Sequence, residues 1–200
     1  MPKTLILVFH RDLTQSKANA ALADAAARLP ETEVVDMQRL YPVGCVDMRW
    51  DTDAEVARLL AADRIVLQFP IQWYSVPSLL KSWLDAVLTR MFYIAYEREG
   101  RLLEGKSLMV AATAGNVPES YQRDGRNRFT IAEMLTPLRM AANRCGLVWI
   151  EPFTVFEADK LSPERLAEVV SAYQQALTHW RRPQFNTRTD ATMRKRSTTR

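Results

Sequence analysis

Short apolar runs recur along the chain, each followed by a stretch with helical spacing, and this alternation limits the possible folds more than any other feature of the sequence. Thr4–Phe9 is a continuous apolar run, as expected of a strand buried on both faces. Glu33–Asp36 reads as a short second strand, Arg64–Phe69 as a third and Lys106–Ala112 as a fourth. Leu147–Ile150 opens a fifth that extends toward Val155. Between them, Ser16–Leu29 is an Ala-rich helical stretch. Thr52-x-x-Glu55 reads as a capping box at the head of a helix over Thr52–Ala61. Val76, Leu79, Leu80, Trp83, Leu84, Val87, Leu88 and Met91 recur at i, i+3, i+4 spacing, the pattern of a well-buried amphipathic helix. Thr130-x-x-Glu133 is a second capping box, leading a helix that Pro137 is expected to kink and Gly146 to stop. Ser162-Pro163 opens the last helix, whose inward stripe runs from Leu166 to Trp180. Five strands with intervening helices specify an open, mostly parallel α/β sheet with helices on both faces.

The 200 residues suit one domain with a substantial core, and the 48% hydrophobic content is that of a globular chain. Residues 181–200 carry seven cations (Arg181, Arg182, Arg188, Arg194, Lys195, Arg196 and Arg200) against Asp190, a net +6. The total is +4, so residues 1–180 stand at −2. The expected organisation is therefore a folded domain over 1–180 and a basic, disordered tail over 181–200. The body is not that of a nucleic-acid binder. No apolar run is long enough to cross a membrane, and Leu5–Phe9 is too short for a signal segment. Cys45 and Cys145 lie far apart, in no metal spacing, and there are only two histidines, so no metal site is expected. These features point to a reduced, cytoplasmic protein.

In open parallel sheets, ligands sit beyond the carboxyl ends of the strands. After the first strand comes His10-Arg11-Asp12-Leu13-Thr14-Gln15-Ser16-Lys17-Ala18-Asn19. It has no glycine, which excludes a Rossmann fingerprint or a P-loop there. The loop is rich in hydroxyl and amide groups and enters a helix, so it suits either an anion on the helix N-terminus or a plain Ser16 cap. After the third strand, Pro70-Ile71-Gln72-Trp73-Tyr74-Ser75 places two aromatics side by side. They would either stack on a flat ring or plug a helix onto the sheet. After the fourth strand, Ala112-Thr113-Ala114-Gly115 lets a ligand approach the backbone closely. The three segments together fit a pocket holding a phosphate at one end and a ring at the other.

His10, Ser16-Lys17-Ala18-Asn19 and, above all, Pro70–Asp85 carry a resemblance to the flavodoxin-fold NAD(P)H:quinone oxidoreductases. The nearest subgroup contains the ancillary flavoproteins of glutathione-regulated potassium efflux systems. Ala95-Tyr96, Leu103–Lys106, Glu119–Tyr121, Asn127-Arg128, Pro137-Leu138 and Cys145–Leu147 extend the match over Lys3 to Trp180. The resemblance implies a flavodoxin-like three-layer sandwich with strand order 2-1-3-4-5. It implies FMN, or alternatively FAD, held by His10, Ser16, Lys17, Ala18 and Asn19 at the phosphate. Pro70, Ile71, Gln72, Trp73 and Tyr74 would lie at the ring, and Ala112, Thr113, Ala114 and Gly115 at its edge. Tyr121 would place the nicotinamide as the catalytic candidate. Two departures stand out. The family's T-T-G-G is here Ala112-Thr113-Ala114-Gly115, and Glu97–Arg101 replaces a glycine-rich segment.

The implied activity is two-electron, ping-pong hydride transfer from NAD(P)H through flavin to a quinone. The implied assembly is a homodimer, with the region around Phe92-Tyr93 and Tyr96 as its neighbourhood. The alternative function is that of an ancillary subunit that activates a membrane potassium/proton antiporter, which would place the protein peripherally at the inner face of the cell membrane. A one-electron flavodoxin-type carrier fits less well, since such carriers tend to be shorter and acidic.

Overall fold

A computed structural model describes residues 3–180; the basic tail expected over 181–200 lies outside the described residues. Five parallel neighbours form the sheet in the order β2-β1-β3-β4-β5, with β1 at Thr4–Val8, β2 at Thr32–Asp36, β3 at Arg64–Pro70, β4 at Ser107–Thr113 and β5 at Val148–Trp149. The expected fifth strand is interrupted. β5 pairs with Ser107 and Leu108, and a separate β6 (Phe153–Val155) pairs with Ala111–Thr113 of the same β4. Pro152, just before β6, has no N–H to give a ladder, which accounts for a break between the two.

The continuous apolar runs are explained by burial on both faces. Leu5, Leu7 and Phe9 belong to one core cluster, and Ile6 and Val8 to the other. The second cluster lies under α1 (Lys17–Ala27) and α8 (Pro163–Thr178), through Leu22, Ala26, Tyr173 and Leu177. The first lies under the short α2 (Met37–Leu40), α3 (Thr52–Ala61) and α4 (Ser78–Trp83), with the helices that follow. Trp83 sits edge-on to Phe9 there, with ring centroids 6.0 Å apart.

The long amphipathic helix read from Val76 to Met91 starts at Ser78, and beyond Trp83 it widens into π-type turns at Leu84–Leu88, Arg90–Ile94 and Tyr96–Gly100. Gly100 is required there, because a Cβ would stand 2.5 Å from the Met91 carbonyl oxygen. α5 (Arg101–Leu103) follows. The expected kinked helix is two helices, α6 (Ile131–Met134) and α7 (Thr136–Arg144), parted at Leu135. Pro137 takes a place in the first turn of α7, where its missing N–H costs nothing.

The Thr130–Glu133 capping box forms, with Thr130 N–H donating to Glu133 Oε2 at 2.9 Å. The Thr52–Glu55 box does not. Thr52 is the first helical residue, and its hydroxyl donates to the Met48 carbonyl at 2.7 Å. Glu55 is fully buried and accepts from Tyr41 OH and Trp83 Nε1, each at 2.8 Å, and from the Arg58 guanidinium. Two buried donors and a cation offer a carboxylate more than a single backbone N–H could.

Candidate functional site

The three strand ends singled out in the sequence converge on a cleft of about 310 Å³. From β1 and its loop come His10, Gln15, Ser16, Lys17, Ala18 and Asn19; from the end of β3, Pro70 and Ile71; from the end of β4, Thr113, Ala114 and Gly115. Asp12 caps a short 3-10 turn at Leu13–Gln15. Ser16 then caps α1, its Oγ accepting the Asn19 N–H at 3.1 Å. The start of α1 is thereby directed at the cleft with its first N–H groups outside the helical ladder.

A buried polar chain fixes this helix start to the sheet. Asn19 Nδ2 donates to Thr113 Oγ1 at 3.0 Å. Gln68 Nε2 donates to the Asn19 carbonyl at 2.9 Å, and Tyr173 OH donates to Gln68 Oε1 at 3.2 Å. Gln68 and Tyr173 are fully buried. Among the described residues Lys17 is the only lysine or arginine lining the cleft, and its Nζ is engaged with the Leu161 carbonyl at 2.5 Å. Burial holds His10 below its ordinary value of 6.5. Its Nδ1 accepts the Asp12 N–H at 3.1 Å, which leaves Nε2 to carry the proton of the neutral ring.

Trp73 and Tyr74 do not plug the core. They are the two central residues of a tight turn closed by Gln72 N–H to Ser75 O and Ser75 N–H to Gln72 O, both 3.0 Å. Both adopt left-handed backbone, φ 45° and 65°, where glycine or asparagine is the usual occupant. Trp73 is 93% exposed and Tyr74 57%. A strained turn that holds two large aromatics out in solvent is hard to explain by packing. The N–H groups of Trp73, Tyr74, Gly115 and Asn116 donate to no acceptor among the described residues. Ala114 is under no strain, since its φ is negative. Its N–H donates to Val155 O at 2.8 Å, so alanine serves where the resemblance has glycine.

Ala112 is fully buried in the core below the cleft. Tyr121 is buried at the end of the Pro118–Tyr121 turn, its ring 5.6 Å from that of Phe156, and it does not line the cleft. The sequence reading missed Gln15, Ala158 and Asp159, which also line the cleft. The last two follow β6, a strand end outside the three singled out in the sequence. Ala158 N–H closes onto Ala114 O at 3.1 Å.

A family model described as a flavodoxin-like fold, Flavodoxin_2, matches residues 2–179. A protein of Klebsiella aerogenes named glutathione-regulated potassium-efflux system ancillary protein KefF is 35% identical over 182 residues, covering 91% of this chain and 98% of its own. Two crystal structures are similar. One is an NADPH-quinone reductase from P. pentosaceus, with a TM-score of 0.74 at 29% identity over 86% of this chain and 96% of that one. The other is general stress protein 14 of Treponema denticola in complex with FMN, with a TM-score of 0.76 at 32% identity over 88% and 97%.

Proposed function

The chain belongs to the flavodoxin-like fold family Flavodoxin_2, and from that membership we propose that it is an FMN-dependent NAD(P)H oxidoreductase acting on a quinone. The observation that carries the reading is the strained Gln72–Ser75 turn, which presents Trp73 and Tyr74 beside a cleft built on a helix N-terminus. The residues fit the group. Lys17 and Ala18 at the head of α1 offer N–H groups to a phosphate, those of Ser16 and Asn19 being taken by Leu13 O and Ser16 Oγ, and no free lysine is needed. The unclaimed N–H groups of Trp73, Tyr74, Gly115 and Asn116 suit the polar edge of a flat ring, and the neutral His10 adds a donor.

Bound FMN supplies the redox chemistry, accepting a hydride from reduced nicotinamide and passing two electrons to the acceptor. The protein supplies binding and orientation. The turn 72–75 and the β4 edge 113–115 set the plane of the ring. N–H dipoles at both loops favour negative charge on it. Tyr121 acts on nicotinamide placement through the turn it anchors. Donor and acceptor then use one site in alternation, a ping-pong order that parallel initial-rate lines would reveal. A homodimer accounts for the large apolar side chains left uncovered around the π-type segments, among them Tyr93 at 72% exposure, with Ile94, Leu102 and Trp50.

A second reading, an ancillary subunit at the inner face of the membrane that activates a potassium/proton antiporter, is supported by the name of the Klebsiella relative. No helix among the described residues is long and apolar enough to cross a membrane.

The purified protein is expected to be yellow or to take up FMN stoichiometrically. NAD(P)H should bleach it and menadione should restore the colour. A protein that ignores both FMN and FAD overturns the proposal. A flavoprotein that NAD(P)H reduces but no quinone reoxidises moves the ancillary reading ahead.

A further inference from the structure

A second concavity, of about 290 Å³, lies between the α4–π segment and the α6–α7 pair. Leu84 and Leu88 line it from one side, and Met134, Pro137 and Ala141 from the other. Leu84, Leu88, Met134, Ile71 and Val76 are apolar yet only partly buried, and all of them line this groove. Its two charged lining residues, Lys81 and Asp85, are paired with each other at 2.6 Å. Ile71 lines both the groove and the cleft, and Tyr74 of the strained turn lines the groove, so the two spaces adjoin at the end of β3. A small apolar cavity shares Leu84, Leu88, Leu138 and Ala141 with it, so that wall has room to yield.

An occupant that matches this lining is uncharged, flexible and apolar, and is joined to a group that reaches the ring site. We propose that the groove binds the isoprenoid chain of a lipid quinone, which makes chain-bearing quinones the preferred acceptors. The proposal rests on the quinone-reducing reading above and specifies its substrate. Covering partly buried leucines with a hydrocarbon chain is favourable by the area removed from water, whereas a bare quinone ring gains nothing there.

The test compares menadione with the same naphthoquinone carrying a two-isoprene chain, on FMN-loaded enzyme. The chain-bearing acceptor should have a KM lower by about tenfold or more. In Ala141→Phe, which fills the groove, that ratio should fall to about one. Equal KM values in the wild type, or a ratio that survives Ala141→Phe, overturns the proposal. Should Ala141→Phe not fold, Met134→Gln on the same wall carries the same comparison.

Calorimetric titration with geraniol reads the groove without turnover. One saturable site per chain, weakened by Ala141→Phe, is expected, and no saturable binding overturns the proposal. If neither quinone is reduced, the quinone-reductase reading fails and the geraniol titration alone decides the groove. If Ala141→Phe turns a dimer into a monomer in light scattering, the groove is an interface between copies and the proposal is wrong.

Discussion

Trp73 holds a backbone conformation that L-residues adopt at a cost of about 1–2 kcal/mol, with its side chain in solvent. Replacing it with glycine removes that cost, though it frees the unfolded chain as well. Trp73→Gly is therefore expected to leave the unfolding free energy unchanged or raised by up to about 1 kcal/mol, while FMN binding weakens up to about tenfold through lost ring contact. Thermal melts and a fluorescence titration of FMN check the two halves. A core tryptophan would instead cost about 3–5 kcal/mol on truncation. Ser16→Asp tests the other end of the cleft. Aspartate is an equally good cap, so the fold should hold. Its charge against a phosphate should weaken FMN binding by on the order of 1–4 kcal/mol, read from the same titration. His10 gives a pH signature. Burial keeps its folded value below 6.5, so between that folded value and 6.5 the unfolded chain binds more proton. Stability then falls as pH drops below about 6.5, and denaturant midpoints across that range should flatten in His10→Gln. These residues were legible in the sequence because each stands at a strand end. What the sequence withheld was the choice between stacking and plugging for Trp73, which depends on the sign of φ in a turn that lacks glycine.

At the scale of elements, the periodicity gave the strands and most helices, and the misplacements have local causes. The Thr52–Glu55 pattern matches a capping box, yet Glu55 is claimed by Tyr41 and Trp83, which lie outside α3, and by Arg58 one turn further along it. A continuous helix through Pro137 would have to kink, whereas α6 ends at Met134 and the chain restarts with the proline in the first turn of α7. The widening beyond Trp83 leaves the apolar stripe nearly intact, so spacing alone does not reveal it. Lys106 is another contact invisible to periodicity. Its ammonium donates to the carbonyls of Leu59, Leu60 and Ala62 at 3.1, 2.7 and 2.6 Å, closing the C-terminus of α3 against β4. Burial holds its value below that of a free lysine. Lys106→Met leaves those carbonyls without their cation and should lower stability by about 1–3 kcal/mol in urea unfolding, with FMN affinity unchanged.

Across the whole molecule, the folded body and the basic segment are expected to be separable. The family match ends at residue 179, so residues 181–200 lie outside it. Deleting 181–200 should leave mass by light scattering, FMN content and turnover with menadione unchanged, and a monomeric truncation product would contradict assembly through the body. The interrupted edge beside β4 bears on a different matter, how the protein behaves when crowded. A long, flat outer strand is a template on which other chains can add their own strands. Here that border is split into two residues at Val148–Trp149 and three at Phe153–Val155, with Pro152 between them. Neither piece offers enough consecutive backbone to seed a cross-β stack. The opposite border, β2, is an unbroken strand of five residues, so the safeguard covers one side of the sheet: copies that meet beside β4 are steered away from sheet extension, which has no natural end.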